Sequence, residues 1–134
     1  MMGKKALILV VDDTEGYREL LVWFLERHGF QMISAECGRD GVELAIERQP
    51  ALVLMDLNMP GMDGYEATRA IQTHRDGRKI PIVAVSADCA AYRFERWALN
   101  AGFIAFLAKP FEPEALLKIV TKVLKSDVER RRAA

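Results

Sequence analysis

The chain alternates between short, unbroken apolar runs and longer stretches in which apolar residues recur every three or four positions. Ala6–Val11 is a continuous apolar run closed by Asp12 and Asp13. Leu52–Met55 runs just as directly into Asp56, with Pro60, Gly61 and Gly64 marking a turn-rich segment behind it. Apolar runs of this length, bounded by turn residues, read as strands buried on both faces. Ile80–Val85 and Phe103–Leu107 give two more, followed by Ser86 and by Lys109-Pro110. Gln31–Ala35 is shorter and partly alternating, the pattern of an edge strand.

The stretches between these runs have helical spacing. Thr14 is placed to cap a first helix that runs to about His28, where Gly29 stops it. Its Tyr17, Leu20, Leu21, Phe24 and Leu25 form an i, i+3, i+4, i+7, i+8 stripe that predicts a core-facing side. A second helix is expected over 38–48, with Val42, Leu44, Ala45 and Ile46 as its apolar share and Pro50 closing it. Others are expected over about 65–74, over about 90–101 with Gly102 as the stop, and from Pro113 to about Lys125. Strand and helix thus alternate five times. That order implies an α/β fold: a doubly wound, five-stranded parallel sheet covered on both faces by five helices. The weakly apolar second strand belongs at an edge, which favours the flavodoxin-like order 2-1-3-4-5.

Composition narrows the class. The 134 residues suit one domain, over 4–125, followed by a charged tail over 126–134 that is expected to be disordered. Nineteen basic and 19 acidic side chains cancel, which leaves no electrostatic footprint for nucleic acid or an anionic membrane. The basic run Arg130–Arg132 has Asp127 and Glu129 beside it and reads as a solvated end. Cys37 and Cys89 lie far apart and read as reduced thiols of a cytoplasmic protein. No segment approaches the roughly 20 apolar residues of a membrane span, and no signal peptide is expected.

In the expected strand order the topological switch point lies between strands 1 and 3, and Asp12, Asp13 and Asp56 end those two strands. Carboxylates gathered at one edge repel each other, and a hard divalent cation such as magnesium removes the conflict. Ser86 and Lys109 end the fourth and fifth strands, so a hydroxyl and an ammonium approach the same edge. They could bind oxygens of a phosphoryl group carried on Asp56. Each residue has a plainer reading: Asp12 and Asp13 as a helix cap, Asp56 and Ser86 as turn formers, Lys109 as a solvated charge. Convergence of all five on strand ends favours the chemical one. His28 and His74 have no partner spacing and read as surface residues.

With those motifs in place, the sequence resembles the receiver domain of two-component response regulators over about 4–125. The matching segments are Val-Val-Asp-Asp at 10–13, the Asp56 segment at 55–64, Val-Ser-Ala at 85–87 and Leu-Ala-Lys-Pro-Phe at 107–111. The resemblance implies that Asp56 accepts a phosphoryl group from a phosphohistidine on a histidine kinase or histidine phosphotransfer protein. It implies magnesium, with manganese able to substitute, held by Asp13, Asp56 and the Asn58 backbone carbonyl, with Asp12 acting through a water. Ser86 and Lys109 would hold the phosphoryl oxygens, and Ala87 would leave room for them. It also implies a cis Lys109-Pro110 bond. Phe106 stands three residues before Lys109, where many receivers have Tyr, so an inward swing behind Ser86 would proceed without a hydroxyl. Asn58 and Asp88 are the expected hydrolysis-tuning pair.

Such a module is a signalling switch and not an enzyme in its own right: it catalyses only its own phosphoryl transfer and dephosphorylation. The expected switch face joins the 90–101 helix, the fifth strand and the last helix. On that helix Phe94, Trp97, Ala98 and Ala101 form one stripe, leaving Leu99 as a contact for a downstream protein target. Output would come from that partner, unless this chain is part of a longer regulator or hybrid kinase. Gly16, Leu20 and Trp23 line up beside the core stripe of the first helix as a docking surface for the phosphodonor. Two rival functions are an aspartate-nucleophile phosphohydrolase and an inert pseudo-receiver scaffold. The first wants a second acid where Asn58 stands; the intact acidic set argues against the second.

Overall fold

The computed structural model describes residues 5–87 and 101–133. Its strands are β1 (Leu7–Val11), β2 (Gln31–Ala35), β3 (Leu52–Asp56), β4 (Ile82–Ser86) and β5 (Ala105–Ala108). The helices among the described residues are α1 (Glu15–Arg27), α2 (Gly38–Arg48), α3 (Gly64–Thr73) and α4 (Pro113–Ala133). The helix expected over 90–101 lies outside the described residues, together with Asp88, Cys89, Phe94, Trp97, Ala98 and Leu99.

All four strand pairings are parallel, in the expected order β2-β1-β3-β4-β5. β3 and β4 are buried at every position, as central strands covered on both faces must be. Alternate side chains feed two cores. Leu9, Val11, Val53, Met55 and Ala84 face α2 and α3, meeting Ala45, Ala67 and Ile71. Ile8, Val10, Leu54, Val83 and Val85 face α1 and α4, meeting Leu21, Leu25, Leu116 and Val120. β2, the weakly apolar strand, lies at an edge with only Ala35 buried. Among the described residues, no helix is long and apolar enough to cross a membrane.

Three expectations change. Leu20 does not join the core stripe of α1: it is 54% exposed, while Leu21 and Leu25 are buried. Both i+3 and i+4 fit a helical stripe, but only one of two adjacent leucines can point at the sheet. Thr14 occupies the N-cap of α1 without a side-chain cap bond; the Asp12 carboxylate bonds the Thr14 N–H instead and holds the turn that leads into the helix. The tail expected to be disordered continues α4, which runs to Ala133. Leu124 packs on the second core and Asp127 is buried, so the helix keeps an inward side past Lys125. Glu129, the following arginines and Ala133 are also good helix formers.

Close helix–sheet contact rests on small residues. A Cβ added at Gly41 of α2 would lie 2.7 and 2.9 Å from the two Val11 methyl carbons. Gly16 of α1, by contrast, has nothing within 4 Å of an added Cβ. Gly41→Ala should therefore overpack the sheet and cost about 1–3 kcal/mol. Gly16→Ala should be neutral or gain up to about 1 kcal/mol from helix propensity. Urea unfolding of both variants checks the contrast, and equal loss in both would contradict it.

Candidate functional site

β1 and β3 are neighbours with Val11 opposite Met55, so Asp12 and Asp56 leave the sheet side by side. Asp13 follows at once, exposed. Ligand oxygens of Asp12, Asp13 and Asp56 all lie within 4.8 Å of one another. β4 and β5 end alongside, with Ser86 opposite Ala108. The next residue, Lys109, donates its backbone N–H to the Ser86 carbonyl at 2.7 Å, and the Lys109-Pro110 bond is cis, as expected. The lysine side chain then reaches back across the sheet edge. Its Nζ donates to Asp12 Oδ2 at 2.8 Å and lies 3.8 Å from Asp56 Oδ2. The ammonium thus bonds Asp12 more closely than the Asp56 it was expected to serve.

Local bonds hold each acid. Asp12 Oδ1 accepts the Thr14 N–H at 2.8 Å, so this side chain, and not Thr14, closes the turn into α1. The Arg18 guanidinium donates to the Asp12 backbone carbonyl at 2.8 Å. Asp56 Oδ1 accepts the Asn58 N–H at 3.2 Å, and Asn58 Nδ2 donates to Ser86 Oγ at 3.4 Å. Asp63 Oδ1 caps α3 by accepting from Glu66 N–H at 2.9 Å. A Cβ at Gly64 would press on the Asp56 carbonyl and come within 2.7 Å of Leu57 Cα. Only glycine lets α3 start this close to the end of β3.

Burial is the largest influence on Asp56, raising its pKa from the ordinary 3.8 to about 6. Lys109 opposes that rise, the charge of Asp12 adds to it, the Asn58 N–H lowers it, and Asp13 raises it slightly. Three oxygen donors in mutual reach, with one of them reluctant to ionise, suit a hard divalent cation. The donor set therefore fits magnesium.

The remaining predicted residues fall into three groups. Ser86 is buried at the site, and Asn58 and Ala87 are exposed beside it. Phe106 is half-buried, opposite Ala84, against the core that contains Met55. Gly16, Leu20 and Trp23 are exposed on α1, with Leu20 54% and Trp23 57% accessible and the Arg27 guanidinium 5.0 Å above the indole. Sequence reasoning passed over Arg18, the packing role of Gly64, and Tyr17, whose ring lies against the Lys109 ammonium. Tyr17 carries a signal only in hindsight, as an aromatic four residues after Asp13 on the helix that starts at the site.

Fold and site together define a doubly wound α/β domain with an acidic, lysine-bearing centre at the carboxyl edge of its sheet. Residues 8–121 match the response regulator receiver domain, and the chain belongs to that family. It is 39% identical to the protein PilH of Pseudomonas aeruginosa over 119 residues, covering 89% of this chain and 98% of PilH. It is 33% identical to the transcriptional regulatory protein SrrA of Staphylococcus aureus over 119 residues, which is 88% of this chain but only 47% of SrrA. Among solved structures, the chemotaxis protein CheY4 of Vibrio cholerae superposes with a TM-score of 0.82 at 28% identity, over 89% of this chain and 98% of that one. The receiver domain of a sensor histidine kinase from Pseudomonas aeruginosa, solved with magnesium in its active-site cleft, gives 0.82 at 31% identity, over 90% and 98%.

The raised pKa of Asp56 has a consequence for stability. An unfolded chain ionises this carboxyl near 3.8 and the folded chain near 6. Between those values the unfolded state holds fewer protons, so stability falls as pH rises; below them there is no penalty, and above them it is complete. The difference corresponds to about 2–3 kcal/mol. Metal-free Asp56→Asn should therefore be more stable than wild type near neutral pH, by up to about that amount. The gain should shrink as pH falls toward about 4. Denaturant titrations across this range check it; a difference that does not change with pH contradicts it.

Proposed function

We propose that this receiver is switched by phosphorylation of Asp56, with the phosphoryl group supplied by a phosphohistidine on a histidine kinase or histidine phosphotransfer protein. The observation that carries the reading is the crowding of Asp12, Asp13 and Asp56 against the Lys109 ammonium at the end of the central strand. An Asp56 oxygen attacks phosphorus as the P–N bond to the donor imidazole breaks, and the imidazole leaves with the bond's electron pair. Lys109 is within a short side-chain movement of the oxygens that would gain charge, and Asn58, which bonds Asp56 Oδ1 through its backbone N–H, donates its side-chain amide to the Ser86 hydroxyl at 3.4 Å.

Asp13, Asp56 and the Asn58 carbonyl would hold magnesium or manganese, with Asp12 reached through a water. The bound cation would neutralise the crowded carboxylates and draw charge from the transferring oxygens. After transfer, Ser86 would turn toward the added charge and Phe106 would follow inward, changing the surface around β5 and α4 that a downstream protein reads. Asn58, with Asp88, would orient the water that returns the domain to its resting state.

The donor would dock on α1. Leu20 and Trp23 expose apolar area about one and a half to two turns along α1 from its start at the acidic edge, and a tryptophan steadied by a stacked arginine is the kind of residue that anchors interfaces. A small acyl phosphate with magnesium should add a single phosphoryl mass to the wild-type protein, and none to Asp56→Asn or in the presence of a chelator. Trp23→Ala should keep its labelling by the small donor but lose about tenfold or more in transfer from the cognate phosphohistidine protein. An adduct that persists in Asp56→Asn contradicts the acceptor, and unchanged transfer in Trp23→Ala contradicts the dock.

A further inference from the structure

The Lys109 ammonium has carboxylates on one side and an aromatic ring on another. Nζ bonds Asp12 Oδ2 at 2.8 Å and faces Asp56 Oδ2 at 3.8 Å. The centroid of the Tyr17 ring lies 4.3 Å from the same nitrogen. Phe111, two residues beyond Lys109, backs that ring with centroids 6.1 Å apart and planes inclined at 53°. Only 6% of the lysine side chain is accessible, so the cation meets these groups largely without intervening water. An aromatic face attracts a cation strongly once both are desolvated. It offers no lone pair, so it leaves the three N–H donors free for oxygen acceptors.

We propose that Tyr17 is a positioning residue for Lys109: its ring holds the ammonium at the gap between Asp12 and Asp56. From there Nζ can turn from Asp12 to the group on Asp56 without swinging into solvent. A lysine stem is flexible, and without the ring its ammonium is opened to water on the α1 side while the Asp12 bond remains. The role belongs to the ring face. The hydroxyl has no part in it, and simple filling of space does not replace it. This inference rests on the assignment of Asp56 as phosphoacceptor.

Three proteins separate these possibilities: wild type, Tyr17→Phe, which keeps the face, and Tyr17→Leu, which keeps bulk and helix propensity without it. Two readouts are needed, the proton shifts of the Lys109 ε-methylene in metal-free protein and the labelling rate with a small acyl phosphate and magnesium. Ring current should move the ε-protons upfield in wild type and Tyr17→Phe but not in Tyr17→Leu. Labelling of Tyr17→Leu should slow by roughly three- to thirtyfold, the range of a desolvated cation–π contact, and Tyr17→Phe should recover most of the rate. Tyr17→Leu labelling as fast as wild type, or Tyr17→Phe as slow as Tyr17→Leu, overturns the role. A wild-type protein with the ring shift intact that takes no label overturns instead the assignment of Asp56, and the positioning role falls with it.

Discussion

Like charges forced together at the end of a buried sheet are the constraint on which the rest of this structure depends. Asp12 and Asp56 are nearly buried because β1 and β3 are adjacent, in register and covered on both faces. Neither acid can move away without dragging a strand of the core with it. The compensating charge comes from the far side of the sheet, where Lys109 crosses two strands to reach Asp12. Its backbone bond to Ser86 fixes the point from which the side chain departs. The hydrophobic sandwich holds the acids in place, and burial first, with the charge of Asp12 adding to it and Lys109 opposing it, leaves Asp56 with a raised pKa.

Helix α1 links this centre to the outside of the molecule. Its inner side, Leu21 and Leu25, packs on the sheet. Its first turns touch the site through Tyr17 on Lys109 and Arg18 on the Asp12 carbonyl. Its outer side exposes Leu20 and Trp23. One rigid element therefore borders the core, the acidic centre and the surface assigned to the donor. A partner seated on the outer side would lie within a few turns of the group it delivers.

The strand ends were legible because continuous apolar runs stop abruptly at charged or hydroxyl residues, and parallel topology brings those stops to one edge. Asp12, Asp13, Asp56, Ser86 and Lys109 could all be found that way. What side chains do once assembled was less legible. Leu20 and Leu21 both satisfy helical spacing, and only packing decides which one faces inward. Lys109 had two acids to choose between, and sequence carries no distances. Tyr17 looked like one more core aromatic because a ring over an ammonium and a ring over leucines have the same spacing along a helix. The tail was judged by its charge, although its helix formers and the inward Asp127 extend α4 past the point where apolar residues thin out.

Which of the three carboxylates receives the group is read most directly by borohydride reduction of the phosphorylated protein, followed by peptide mass mapping. Reduction turns an acyl phosphate into an alcohol, so a phosphorylated aspartate is recovered as homoserine. Homoserine at position 56, with aspartate intact at 12 and 13, is the expected result. Homoserine at 12 or 13, or aspartate at all three positions in a protein that carries the label, would contradict it.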